Sequence, residues 1–283
     1  MGTKTKIDWC DSTWNPVTGC LHDCAYCYAR KIAERFGRAT IAVCGEDGYA
    51  EYGGMTCADG TCHELEYPYE DYGKGCTAPY PFEFDPTFHR YKLDEPKHWK
   101  KPRTIFVCSM ADLFGDWVPD EWIAEVLKAC DAAPQHRYLF LTKAPSRYEK
   151  ISSLMPSWEE MYLEKSRPVM MFGASATDDA MMAVAYKSNA EWVSVEPILE
   201  PIEPEWFISA SGSNGDYSTF RRWEWVVIGA ETGNSKHKTA PKREWVEEIV
   251  KVCKEYGTPV FMKDSLRDLM GDDFKQEFPW EVK

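Results

Sequence analysis

The chain has 283 residues, 44% hydrophobic and 14% aromatic, with 33 Lys and Arg against 46 Asp and Glu for a formal net charge of -13. That composition can bury a substantial core and is far from that of a disordered chain, and it carries no run of about 18 apolar residues to form a membrane-spanning helix. The acidic balance also argues against a general polyanion-binding face. The excess is local: residues 45–95 hold 12 acidic and three basic side chains, and the remainder is only mildly acidic. The start, Met1-Gly2-Thr3-Lys4-Thr5-Lys6, lacks the apolar stretch of a secretory signal, so a soluble cytoplasmic protein is expected.

A first strand is expected near Trp14 to Gly19, then a loop bearing Cys20, Cys24 and Cys27, then a helix from Ala29 to Phe36. Residues 38–100 break the pattern, being rich in Gly, Tyr, Pro and acid. They read as an acidic, Cys-containing insertion between the first and second βα units of a single 1–283 domain. A structureless loop of that length would be unusual, which calls for local structure or a staple. Cys44, Cys57, Cys62 and Cys76, with His63 beside Cys62, are the candidates for a second metal site there, although their spacing matches neither a zinc knuckle nor a ferredoxin run.

From residue 100 onward, short apolar runs alternate with helical periodicity. The runs are Thr104 to Cys108, Tyr138 to Leu141, Val169 to Phe172, Trp192 to Val195, Trp225 to Ile228 and Pro259 to Met262. Helices are expected over Pro119 to Leu127 and Arg243 to Val250, each with acid in its first turn. Run starts lie about 23–34 residues apart, the length of a βα unit. Some seven parallel strands then build an α/β fold, a partial or complete (β/α) TIM-like barrel.

A barrel of this kind works at the C-terminal ends of its strands. The residues there are Ser109, Met110 and Asp112; Thr142 and Lys143; Ser175 and Thr177; Glu196; Glu231; and Lys263 and Asp264. Ser175, Thr177 and Asp112 could equally cap helices. Lys143, directly after an apolar strand, and Glu196, before Pro197, are less easily explained that way.

Eleven cysteines without a secretory signal point to metal or redox chemistry rather than disulfides. Cys10, Cys108, Cys130 and Cys253 are isolated and read as small hydrophobes. Cys20, Cys24 and Cys27 are different: thiolates with three and then two residues between them can wrap one face of a cubane cluster, leaving its fourth iron open. A zinc knuckle using His22 is the alternative, but Cys20 and Cys24 lack the usual two-residue separation.

Cys-x3-Cys-x2-Cys with the aromatic Tyr26 before its last Cys resembles the signature of the radical S-adenosylmethionine (SAM) superfamily. Within it, the phrases Thr13-Trp14-Asn15-Pro16-Val17-Thr18-Gly19-Cys20, Ser109-Met110-Ala111-Asp112-Leu113-Phe114, Leu141-Thr142-Lys143, Ser194-Val195-Glu196-Pro197 and Gly229-Ala230-Glu231-Thr232-Gly233 resemble a phage- and prophage-associated family. The likeness runs nearly end to end, departing at the acidic insertion and at Ala230, where a second Gly is expected. It implies a [4Fe-4S] cluster on Cys20, Cys24 and Cys27 and SAM chelated at the open iron, cleaved to a 5'-deoxyadenosyl radical that abstracts hydrogen from substrate. It places Ser109, Met110 and Asp112 at the methionine end of SAM, Ser175 or Thr177 at the ribose and Tyr26 by the adenine. Lys143, Glu196, Glu231 and Lys263 are then the catalytic or substrate-binding candidates. The implied partners are a small-molecule or nucleotide substrate and a reductant such as flavodoxin or ferredoxin; a DNA base fits a phage setting, but no basic, aromatic-interleaved stripe supports it. Two other readings compete: a non-catalytic zinc or iron–sulfur interaction module, and a metal-free barrel enzyme using Lys143 or Lys263 as a Schiff-base or general-base lysine.

Overall fold

The computed structural model describes residues 5–37, 62–71, 76–151, 168–213, 216–232 and 238–281. Seven strands form one sheet: β1 (Ser12–Trp14), β2 (Thr104–Val107), β3 (Arg137–Thr142), β4 (Val169–Ala176), β5 (Trp192–Val195), β6 (Trp225–Ile228) and β7 (Val260–Met262). The ladders run parallel, with Ser12 opposite Ile105, Thr104 opposite Arg137, Gly173 opposite Trp192, Trp192 opposite Trp225 and Val226 opposite Val260. Spatial order follows chain order throughout, as in a partial (β/α) barrel; a doubly wound sheet would reverse direction partway. Every residue of β2, β5, β6 and β7 is buried, which is why these strands read as continuous apolar runs.

The helices follow the same logic. Helix α1 (Tyr28–Phe36) buries only Ala29 and Ala33. Helix α2 (Asp120–Asp131) opens on Asp120 and Glu121 and buries Trp122, Ile123, Val126, Leu127 and Cys130. Beyond them, α3 (Arg147–Ile151) is short, and α4 (Asp179–Lys187) is capped by Asp178, whose carboxylate accepts from the Met181 N–H at 2.8 Å. Helix α5 (Arg243–Glu255) buries Val246, Ile249 and Cys253. Cys130 and Cys253 thus act as small core hydrophobes.

Several boundaries differ from expectation. The first strand is Ser12–Trp14, not Trp14 to Gly19: Pro16 lacks an N–H, its carbonyl accepts from His89 N, and Val17–Thr18 pairs antiparallel with Thr87–His89 instead. The Thr87–His89 strand also pairs with His63–Leu65, so residues 62–100 carry short strands of their own. Strand β4 runs on to Ala176, which puts Ser175 inside the strand rather than past it. A hairpin of Ile208–Ser213 and Asp216–Arg221, unexpected from sequence, precedes β6.

The chain divides into two compact units, one mainly Cys10–Leu139, the other Lys6–Trp9, Phe140–Lys150 and Met171–Lys283. In the first, Arg90 bonds the carboxylates of Glu64 and Glu125, tying the His63–Leu65 strand to α2, and the Trp122 indole also donates to Glu64. In the second, the buried Trp9, Trp192 and Trp225 pack with ring centroids 5.3–6.1 Å apart. Fully burying each such side chain contributes roughly 1.5–3 kcal/mol.

Candidate functional site

The cysteine loop is anchored at both ends. Gly19 enters it at φ +83°, and a Cβ there would meet the Asp85 carbonyl oxygen at 2.1 Å, so this position needs glycine for conformation and for space. Gly19 N donates to Met110 O and Cys20 N to Phe84 O. At the other end Cys27 caps α1, its sulfur accepting from the Arg30 N–H at 3.3 Å. Cys20 and Cys27 pack against one buried cluster of Ala29, Ala33, Phe84 and Met110. The Arg30 guanidinium lies over the Phe84 ring and donates to the carbonyls of Cys20 and His22, closing the loop on itself.

None of the three cysteines forms a disulfide, and all three are half-buried. Burial pushes the Cys20 thiol up to about 12, with further upward pressure from Asp112, Cys24 and Cys27. Cys24 and Cys27 therefore lie within electrostatic reach of Cys20.

The loop after β2 comes to the same place. Cys108 turns it at φ +58°, a region non-glycine residues seldom occupy. Asn15 Oδ1 accepts from the Ser109 hydroxyl and the Met110 N–H, at 3.1 and 3.0 Å. The Tyr28 hydroxyl donates to Ser109 O at 2.6 Å. Asp112, 5% exposed, is 2.9 Å from His22 Nε2 and accepts from Phe114 N. Met110 contributes its backbone here while its side chain lies in the core. A cavity of about 390 Å³ opens beside Cys20, lined by Arg30, Glu34, His63, Phe82 and Asp85 among others.

The donor set of three thiols on one loop is of the chemistry that a cubane cluster takes. Among the described residues, no group of three or more His, Cys, Asp or Glu is gathered as a single metal ion requires. A tetrahedral zinc draws its sulfurs within about 4 Å of one another, whereas a cubane offers each of three thiolates its own iron. His22, the remaining soft donor of the loop, is turned to Asp112. Of the four insertion cysteines, Cys62 is buried with its thiol toward the Trp117 carbonyl, while Cys44, Cys57 and the side chain of Cys76 lie outside the described residues; nothing supports a second site.

In the second unit the strand ends form a polar row. By register Thr177, Glu196, Gly229 and Lys263 stand side by side at the ends of β4, β5, β6 and β7, with Ser175 and Ser194 one step below the first two. Lys263 Nζ meets Glu196 Oε1 at 2.6 Å, spanning the strand between them. Gly229 makes that possible: a Cβ there would lie 3.0 Å from both Glu196 Cγ and Lys263 Cδ. Lys143 Nζ donates to Ser175 Oγ at 3.3 Å. The Thr177 hydroxyl, 3% exposed, turns to Asp178 and Met181, and Glu231 accepts from Thr239 N. Tyr26 is half-buried. Sequence reasoning missed Asn15, Arg30, Ser194 and Gly229. Asn15 and Gly229 do lie inside phrases already singled out, but their roles depend on partners 94 and more than 30 residues away.

A family model described as "Protein of unknown function (DUF5131)" matches residues 4–268. No curated protein matches the chain. Among solved structures, spore photoproduct lyase complexed with dinucleoside spore photoproduct is similar at a TM-score of 0.47 and 9% identity, covering 93% of this chain and 79% of that one. A mutant of the same lyase with bound AdoMet and dinucleoside spore photoproduct is similar at a TM-score of 0.45 and 11% identity, covering 92% and 78%. Both scores lie below 0.5 and carry no functional argument. None of these matches bears on phage association.

Proposed function

The family match spans nearly the whole chain, so the chain belongs to the family described as "Protein of unknown function (DUF5131)", and from that premise we propose a radical SAM enzyme whose Cys20, Cys24 and Cys27 would hold a [4Fe-4S] cluster. The observation that supports this reading is the loop itself: three half-buried cysteines outside any disulfide, two of them seated on one apolar cluster and one bonded by a helix N-terminal N–H. When bound, such a cluster would supply the one electron needed for reductive cleavage of the sulfonium bond of SAM to methionine and a 5'-deoxyadenosyl radical.

The chain's own part is to hold and to shield. The Arg30 N–H donates to the Cys27 sulfur and fixes it at the start of α1. Ala29, Ala33, Phe84 and Met110 exclude water behind Cys20 and Cys27. Asn15 and the His22–Asp112 pair fix the Ser109 to Asp112 loop, the proposed contact for the amino-acid end of SAM, with Tyr26 proposed for the adenine. Lys143, Glu196, Glu231 and Lys263 are proposed for a nucleotide or other small-molecule substrate.

The test is anaerobic reconstitution with iron and sulfide, reduction, addition of SAM and assay of 5'-deoxyadenosine, with Cys24→Ala as control. Product that depends on Cys24 supports the proposal. Tightly bound zinc with negligible iron and no product would favour a structural metal module instead.

A further inference from the structure

Among the described residues seven large hydrophobic side chains are exposed, and four of them, Leu21, Tyr28, Ile32 and Phe36, lie on the cysteine loop and α1. Tyr28, Ile32 and Phe36 are spaced four apart, so they form one row along the helix. Ile32 is 37% exposed and Phe36 51%. The row is flanked by exposed Lys31 and Arg35, with Glu34 the one acid of the helix, in a chain whose net charge is -13. Arg35 lies over the Phe36 ring, 5.3 Å from its centroid. This apolar, locally basic face begins at Cys27, the cap of α1, and Leu21 adjoins Cys20.

From this placement, and resting on the cluster reading above, we infer that the exposed face of α1 with Leu21 is the docking surface for an acidic protein that carries a one-electron centre near its own surface. Redox encounters use small interfaces, below about 1,200 Å², which one helix face and its flanking loop can supply. An apolar centre with a charged rim gives such an encounter fast, salt-dependent association and ready release. The helix presenting the face is capped by Cys27, one of the proposed cluster ligands, so a carrier docked there sits next to the cysteine loop. The balance is one electron out of the carrier and one into the cluster, with no bond made or broken. A membrane surface or a polyanion would ask for more basic charge than this face has.

The experiment uses the reconstituted protein with flavodoxin, kept reduced by its reductase and NADPH, as the acidic carrier, and dithionite as a reductant that needs no docking. Two double variants are compared with wild type: Ile32→Glu with Phe36→Glu, and Lys31→Glu with Arg35→Glu. The first removes the apolar centre and the second reverses the rim. Each is expected to weaken flavodoxin binding in calorimetry at least tenfold and to slow flavodoxin-driven bleaching of the cluster by a similar factor. Dithionite-driven bleaching should stay within twofold, which also shows that the variants fold and load. Wild-type binding should weaken steeply between 50 and 300 mM salt. Equal flavodoxin binding and reduction in wild type and both variants would overturn the docking surface alone. A self-associated dimer that the substitutions dissociate would overturn it too, by assigning the face to a second copy. Failure of wild type to take up a cluster at all would remove the reading beneath it.

Discussion

Replacing Gly229 by Ala tests whether the Glu196–Lys263 pair is built around an absent side chain. Gly229 is not in the left-handed region, so alanine is conformationally acceptable and space alone decides the outcome. The new Cβ would stand 3.0 Å from Glu196 Cγ, 3.0 Å from Lys263 Cδ and 3.2 Å from Glu196 Cδ, closer than carbon atoms normally pack. Overpacking of this kind costs about 1–3 kcal/mol, and the stiffer unfolded chain returns roughly 0.4–1 kcal/mol. The net expectation is a loss of about 1–2 kcal/mol, or roughly 2–8 °C in Tm for a chain of this size. Urea denaturation followed by tryptophan fluorescence reads it, because Trp192 and Trp225 are fully buried in the same unit. The decisive form is a double-mutant cycle with Lys263→Ala, which removes one of the crowded atoms. In that background Gly229→Ala should lose at least about 1 kcal/mol of its effect. Equal effects in both backgrounds would refute the claim that Gly229 is there to let the pair form.

Two further outcomes follow from groups in the first unit. Arg90→Met leaves the carboxylate of Glu64, 17% exposed, without its cation and leaves the Trp122 indole as its bond to α2, so stability should fall by about 2–4 kcal/mol; a loss below about 0.5 kcal/mol would show that the Trp122 bond and the strand's own ladder suffice to hold it. Acid should destabilise the fold through His89 and His136. His89 is fully buried beside the Thr18 hydroxyl, and burial, with Lys92 adding to it, holds its pKa well below the ordinary histidine value. His136 is lowered by burial also, against the Pro96 carbonyl. Such groups stay neutral in the fold and take a proton on unfolding, so their contribution is intact above a pH of about 6.5 and is lost as pH falls below it, by up to about 1.4 kcal/mol per pH unit for each. Urea midpoints from pH 8 to 5 read this, and His89→Gln should reduce the slope. A flat profile in wild type would contradict the assignment.

How far these features were legible follows from how locally each is encoded. Strands β2, β5, β6 and β7 are buried on both faces and announce themselves as apolar runs; α2 and α5 show their acid-led helical periods. The cysteine triplet was legible because its members are contiguous. Strand β4 was cut short because Gly173, Ala174, Ser175 and Ala176 carry no β signal, although backbone pairing with β5 extends it through them. The Val17–Thr18, His63–Leu65 and Thr87–His89 strands are two or three residues long, too short to show a period of two. Glu196 and Lys263 were each picked out by position, but their pairing joins residues 67 apart and depends on a glycine whose message is the space it leaves. His22 was weighed as a zinc ligand, and its tie to Asp112, 90 residues on, emerges only when the loop after β2 closes over the cysteines.

The central claim is that Cys20, Cys24 and Cys27 hold a cluster with one iron open to SAM. Iron and sulfide analysis of the anaerobically reconstituted protein, together with electron paramagnetic resonance of the reduced sample before and after SAM, tests it most directly. The account predicts about four iron and four sulfide per chain, lost in Cys24→Ala, and a spectrum that SAM alters. A loaded cluster whose spectrum ignores SAM, or loading that survives the loss of Cys24, would contradict it.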